Sequence, residues 1–282
     1  MRTGLSHAAG FVVADIGNPY FATVCRGVES ILQAHDYSLL LVNSDGDLAR
    51  EQEAITSLRA RRVDGLILSV ASEQAPYLVE LVRSVPAVLV DRVVPGTEAD
   101  VVQSDHAAGM GAAMRHLVSL GHRRIAMLAA SMDQFGTRGR VEACVTAAAK
   151  LGIPQDQLVI RTGVAGPVEA RATVNGVLAA RTPPTAIIAA SYDLIVASVE
   201  VIHERGLDIP HEISFVSCED FDLCRLHVPQ LAVIKRDMFR LGSRAAELLV
   251  DRLHNPGELA VQSRVELPTR FLPRGSTAPP KE

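Results

Sequence analysis

Tryptophan is missing from this 282-residue chain, and aromatic residues make up only 4% of it. Stacked aromatic platforms of the kind that grip single-stranded nucleic acid are therefore excluded. Basic excess is missing too, because 28 Lys and Arg stand against 32 Asp and Glu, a formal charge of −4. No overall field draws the chain to polyphosphate or to an anionic membrane. The four cysteines, Cys25, Cys144, Cys218 and Cys224, are scattered, and Cys218-x5-Cys224 fits neither a zinc knuckle nor a redox pair. They read as free thiols of a reducing compartment, which gives a cytoplasmic expectation. No apolar run reaches the length of a membrane span, and residues 1–10 lack the apolar core of a secretory signal.

Catalytic signatures are also lacking. There is no Walker loop, no HExxH and no Gly-x-Ser-x-Gly elbow, and the nine histidines show no metal spacing. His122, followed by Arg123 and Arg124, reads as a solvated helix exit. Gly109-Met110-Gly111 half-matches a dinucleotide fingerprint, but the third glycine and an acidic ribose partner are absent. A helix face of small residues packed on a sheet accounts for it better. We therefore expect no enzyme, no cofactor, no metal site and no catalytic residue.

What is present is alternation. Strand-like runs at 10–14, 38–42, 65–69, 87–90 and 101–104 are separated by helical runs at 19–34, 48–60, 75–82 and 107–120. A second series follows, with strands at 124–129, 158–161, 186–189, 213–217 and 231–234 and helices near 137–151, 168–180 and 194–205. This is the pattern of βαβ units, right-handed crossovers and parallel sheets covered on both faces. Two such series predict an α/β chain of two similar lobes with a cleft between them. Gly121, Gly152 and Gly206 each follow a helical run, where a residue with positive φ ends a helix.

In open parallel sheets ligands sit beyond the carboxyl ends of the strands. The first strand runs into Asp15-Ile16-Gly17-Asn18-Pro19-Tyr20-Phe21, with Asn18 placed to cap a helix and Pro19 suited to its first position. Asp15 is either a pocket wall or a loop anchor. Asp91 and Arg92 follow the strand at 87–90, Arg138 and Arg140 the one at 124–129, Tyr192 and Asp193 the one at 186–189, and Glu219 and Asp220 the one at 213–217. Arginine forks and carboxylates suit a polyhydroxylated or zwitterionic ligand, and Tyr20 and Phe21 its apolar face.

Further phrases are Arg61-Arg62-Val63-Asp64-Gly65-Leu66-Ile67, Val88-Leu89-Val90-Asp91-Arg92, Leu120-Gly121-His122-Arg123-Arg124-Ile125-Ala126, Glu204-Arg205-Gly206-Leu207-Asp208-Ile209-Pro210 and Leu267-Pro268-Thr269-Arg270. Together with the Asp15–Phe21 motif they resemble the effector-binding core of LacI/GalR-type (lactose-repressor family) transcriptional regulators, over about residues 2–277. The resemblance implies two Rossmann-like lobes of the type I periplasmic-binding-protein kind, with three crossings near Gly121, Lys235 and Pro256. It implies an N-terminal lobe of 10–121 plus 236–255 and a C-terminal lobe of 122–235 plus 256–274. Residues 1–9 are expected as a residual linker and 275–282 as a disordered tail. A helix-turn-helix DNA-binding domain is expected to be absent from this stretch.

The implied ligand set is Asn18, Tyr20, Phe21, Asp91, Arg92, Arg140, Tyr192, Glu219 and, at the hinge, Arg236. The family usually has Asn where Tyr192 stands, Asp for Glu219, often Asn for His106 and Gln for Arg236. These departures argue against assuming a common hexose or pentose. The implied function is an effector sensor that changes operator binding by lobe closure; a solute-binding protein of a sugar transporter is the alternative. The implied partners are a small effector, a second copy, and operator DNA through the N-terminal domain, with no membrane. Helices at about 48–62 and 238–253 are candidates for pairing, although the stripe Leu241, Ala245, Leu248 and Leu249 also suits packing on its own sheet.

Overall fold

The computed structural model describes residues 6–255 and 262–281. The chain divides into two units, residues 1–104 with 237–267 and residues 105–236 with 268–282.

The first unit holds β1 (Ala8–Val13), α1 (Pro19–Ala34), β2 (Ser38–Asn43), α2 (Leu48–Ala60), β3 (Gly65–Leu68), α3 (Tyr77–Ser84), β4 (Ala87–Val90) and β5 (Asp100–Asp105). Its sheet runs in the order β11-β5-β4-β3-β1-β2, where β11 is Arg264–Pro268. The pairings from β2 through β5 are parallel. Val12, Leu66, Leu68 and Leu89 from the strands meet Leu58 of α2 and Leu78 of α3 in one core. Each such side chain contributes about 1.5–3 kcal/mol on burial.

Helix α9 (Met238–His254) packs along α1. The approach is close because both helices present glycine at the contact. A Cβ on Gly27 would lie 2.0 Å from the Phe239 carbonyl oxygen, and one on Gly242 2.0 Å from that of Val24. Leu241, Ala245 and Leu249 are buried in this unit, with Leu249 against Gly65 at the start of β3. Leu241, Ala245 and Leu249 of that stripe therefore pack inside this unit, while Leu248 is half-buried.

The second unit holds α4 (Ala107–Ser119), β6 (Ile125–Leu128), α5 (Phe135–Lys150), β7 (Leu158–Arg161), α6 (Gly166–Leu178), β8 (Ala186–Ala189), α7 (Tyr192–Glu204), β9 (Ser214–Ser217), the short α8 (Asp222–Leu226) and β10 (Ala232–Lys235). Its sheet order is β12-β10-β9-β8-β6-β7, with β12 (Arg270–Leu272) antiparallel to β10 and the other pairings parallel.

The division differs from the expected one at two of three crossings. Helix α4 belongs to the second unit, because Met110, Ala113, Met114 and Leu117 join its core beside Ile125, Ile188 and Ile234. The Gly109 N–H also donates to the Thr269 hydroxyl at 3.1 Å. The first crossing therefore falls at 104–105 rather than near Gly121. The third falls at 267–268, since β11 joins the first sheet; the expected position near Pro256 lies outside the described residues. The remaining boundary between the units falls at 236–237.

Both ends are also more ordered than expected. Of the linker, residues 1–5 lie outside the described set, but the Ser6 and His7 amides donate to the Asp64 carboxylate at 2.9 and 2.8 Å, and Ala8 and Ala9 are already in β1. The C-terminal residues 275–281 are pinned to the second unit. The fully buried Ser276 hydroxyl donates to the Phe215 carbonyl at 2.6 Å and accepts from the Ala232 amide at 2.7 Å. Its own carbonyl accepts from Phe215 N–H at 2.8 Å. These bonds satisfy backbone groups at the starts of β9 and β10 that the expected disorder would leave unpaired. His122 is likewise no solvated exit. It is 1% exposed, with its ring nitrogens 2.8 Å from the Thr185 hydroxyl and 2.9 Å from that of Ser214.

Candidate functional site

In the first unit β1 delivers the chain to a polar turn. The Asp15 carboxylate accepts from the Gly17 amide at 2.8 Å, which makes it a loop anchor. Asn18 caps α1 through its side-chain oxygen, 3.0 Å from the Tyr20 amide, with Pro19 at the first helical position. The Asn18 amide nitrogen keeps its two N–H donors beyond this cap.

Tyr20 and Phe21 are buried and meet edge to face, with ring centroids 4.8 Å apart. The Tyr20 hydroxyl donates to the Asp91 carboxylate at 2.8 Å, and the second oxygen of that carboxylate accepts from the Ser104 amide at 3.0 Å. Asp91 sits at the end of β4 with φ +50°, in the left-handed region that Asp tolerates better than bulkier residues. Buried Arg92 follows, its Nε–H donating to the Val70 carbonyl beyond β3 and one Nη to the Asp91 carbonyl, both at 2.9 Å. Tyr20, Phe21, Asp91 and Arg92 are thus brought together at the carboxyl ends of β1 and β4.

In the second unit Arg140, in the second turn of α5, donates through one Nη to the Ala190 carbonyl and through the other to the Glu219 carboxylate, both at 2.9 Å. Its Nε is buried without a hydrogen-bond partner. Glu219 stands just past β9, 3% exposed. The same carboxylate accepts from Arg236, past β10, through Nε at 3.2 Å and through an Nη. Ser217 holds the Glu219 backbone, its hydroxyl donating to the Glu219 carbonyl and accepting from its amide. Two guanidiniums therefore converge on one buried carboxylate, a charge-assisted arrangement with fixed geometry. Tyr192, half-buried at the start of α7, meets Phe221 edge to face at 5.2 Å. Cys218 lies within this cluster, but burial pushes its thiol up to about 12, so it stays protonated and is no nucleophile.

Three further buried side chains, Glu73, Phe221 and Glu51, lie outside the set expected from the sequence. Glu73, 1% exposed, lies in the loop after β3 and accepts from the Val93 amide at 3.2 Å. The strand-end rule reaches it, four residues past Ser69. Phe221 is legible in the same way, two residues past Glu219. Glu51, fully buried on α2, carried no signal, because its neighbours Arg50, Gln52 and Glu53 read as a solvated face. Among the described residues no group of three or more His, Cys, Asp or Glu could hold a metal ion, and no helix is long and apolar enough to cross a membrane.

The family model of the periplasmic binding protein-like domain matches residues 114–277. The HTH-type transcriptional regulator PtxS of Pseudomonas plecoglossicida is 31% identical over 286 residues, covering 98% of this chain and 80% of that protein. This chain belongs to the LacI-type family of transcriptional regulators. Another LacI-type relative, the ribose operon repressor of Haemophilus influenzae, is 29% identical over 88% of this chain and 75% of its own. Among solved structures, a LacI family regulator from Enterococcus faecium with bound ribose superposes with a TM-score of 0.86 at 29% identity, covering 97% of this chain and all of that one. The LacI-type fold, two α/β units with parallel-dominated sheets, is the one described above. These relatives are regulators, and the likeness does not favour the transporter alternative.

Proposed function

We propose that this chain is the effector-sensing core of a bacterial LacI-type regulator. In this reading the strand-end groups of each unit hold one small polyhydroxylated ligand, a sugar or related metabolite. The observation that carries it is the convergence of Arg140 and Arg236 on Glu219 in a unit whose remaining strand-end side chains include the aromatic pair Tyr192 and Phe221. Charged forks beside aromatic faces are what a ring with hydroxyl edges needs. The Tyr20, Phe21, Asp91 and Arg92 group repeats that chemistry in the first unit. The Enterococcus faecium regulator with bound ribose supports the ligand class. The reading is one of binding without catalysis, in the cytoplasm, by a homodimer whose operator contacts belong to a separate N-terminal helix-turn-helix domain.

Thermal shift and calorimetry with D-ribose and a panel of pentoses, hexoses and their acids test this. A ligand at 100 times its Kd raises stability by about 2.7 kcal/mol. Arg140→Ala then weakens binding by about 2–5 kcal/mol, since its loss leaves a buried ligand group and Glu219 underpaired. A panel that shifts nothing, or an unchanged affinity in Arg140→Ala, overturns the assignment.

A further inference from the structure

Arg92 is held by a loop, and the loop is held by a residue outside the strand ends. Glu51 is fully buried in the first turn of α2. One of its carboxylate oxygens accepts from the Ala71 amide at 2.5 Å, and the other accepts from the Tyr77 hydroxyl at the start of α3. Those two contacts bracket residues 71–77. Within or beside that stretch lie the Val70 carbonyl, 2.9 Å from Arg92 Nε, and the Glu73 carboxylate, 3.2 Å from the Val93 amide. A carboxylate taken fully out of water is costly unless its oxygens are well satisfied. Burial does push the Glu51 carboxyl up, and the Tyr77 hydroxyl, the Ala71 amide and the nearby Arg92 charge act against that push. A plain helix surface would carry no such group.

We propose that Glu51, together with Tyr77, is the positioning pair for Arg92: it fixes the segment from Val70 to Tyr77 so that the guanidinium is presented to the effector in one orientation. The inference rests on the reading of Arg92 as a ligand group. Side chains that bind a ligand are held in orientation by such supporting contacts; around metal ligands their removal costs roughly one to two orders of magnitude in affinity, and the same range is the expectation here.

The test uses the full chain and two readouts. The first needs no ligand: hydrogen-exchange protection of the Ala71 amide and of the Arg92 Nε–H, followed by nitrogen-15 NMR. Glu51→Ala lowers both by at least about tenfold, while Glu51→Gln, which keeps an acceptor for Ala71, stays within about threefold. Tyr77→Phe, which removes a single hydroxyl from a half-buried ring, gives an intermediate loss and serves if Glu51→Ala does not fold. The second readout is affinity for D-ribose, or for whichever sugar of the panel binds, which falls about 10–100-fold in Glu51→Ala and is restored by Glu51→Gln. Unchanged Arg92 protection in both Glu51→Ala and Tyr77→Phe overturns the positioning role. Lost protection with unchanged affinity instead overturns the reading of Arg92 as a ligand group and leaves its positioning intact.

Discussion

Replacing Glu219 with Gln removes one negative charge and almost no volume, so it isolates the electrostatics of the Arg140–Glu219–Arg236 cluster. The three side chains are 11%, 4% and 6% exposed, so solvent screens them little. At an effective dielectric near 20, each guanidinium about 3 Å from the carboxylate is attracted by roughly 5 kcal/mol, part of which offsets desolvation. Gln keeps one acceptor oxygen but leaves two buried cations facing each other without their shared anion. Breaking a buried pair in this way costs about 3–5 kcal/mol. The melting midpoint at neutral pH then falls by roughly 6–20 °C. Urea unfolding followed by far-ultraviolet circular dichroism gives the free energy directly. Adding Arg236→Gln to Glu219→Gln removes the surplus cation, so the double variant recovers at least about 1 kcal/mol relative to the sum of the singles. A Glu219→Gln protein within about 1 kcal/mol of wild type, or strict additivity, refutes the electrostatic account.

Gly242→Ala places a methyl 2.0 Å from the Val24 carbonyl oxygen, so α1 and α9 must separate; we expect a loss at or above the upper end of the ~1–3 kcal/mol usual for overpacking. Gly176→Ala on α6, where nothing lies within 4 Å of the new methyl, is the control and gains about 0.5–1 kcal/mol. Equal urea midpoints for the two variants sink the close-packing argument. Acid lowers stability through His122. Burial holds its pKa below the ordinary 6.5, so the unfolded chain takes up the proton first. This stabilisation is fully in place above about 6.5, the unfolded value, and is lost as pH falls below it through the lower folded value. The melting midpoint therefore drops between pH 7 and pH 5.5, and drops less in His122→Gln; equal slopes remove His122 from the account.

The layered part of the fold was legible because its signals are local. Pro19–Ala34 and Leu48–Ala60 end where capping chemistry and apolar spacing said they would, and Gly121, Gly152 and Gly206 all take positive φ. What was not legible depends on distant partners. Helix α4 carries no mark of which sheet it will cover; that choice is made by Ile234 and Thr269, more than 100 positions later. The tail from Gly275 looks like any proline-containing terminus until Ser276 meets the open backbone groups of Phe215 and Ala232. The candidate site divides in the same way. Strand-end position picked out Asp91, Arg92, Arg140 and Glu219, but it cannot tell a side chain offered to a ligand from one spent on the fold. The Asn18 and Asp15 side-chain oxygens each hold a backbone amide, which neither assigns nor removes a ligand contact.

That distinction bears on how the site discriminates. Nearly every candidate ligand group already has an internal partner: Tyr20 has Asp91, Arg92 has two carbonyls, Arg140 has Ala190 and Glu219. Their orientations are set before any ligand arrives, so less ordering entropy is lost on binding. On the proposed reading the capacity left over is small and directional, with the buried Arg140 Nε–H and the Asn18 amide nitrogen as its donors. A ligand lacking a hydroxyl at one of those points leaves a buried polar group unpaired, and such sites reject the analogue far more strongly than apolar pockets reject a missing methylene. On the proposed reading, since a ligand shifts a conformational balance only by its differential affinity for the two states, the same few directional contacts set both the identity of the effector and the size of the signal.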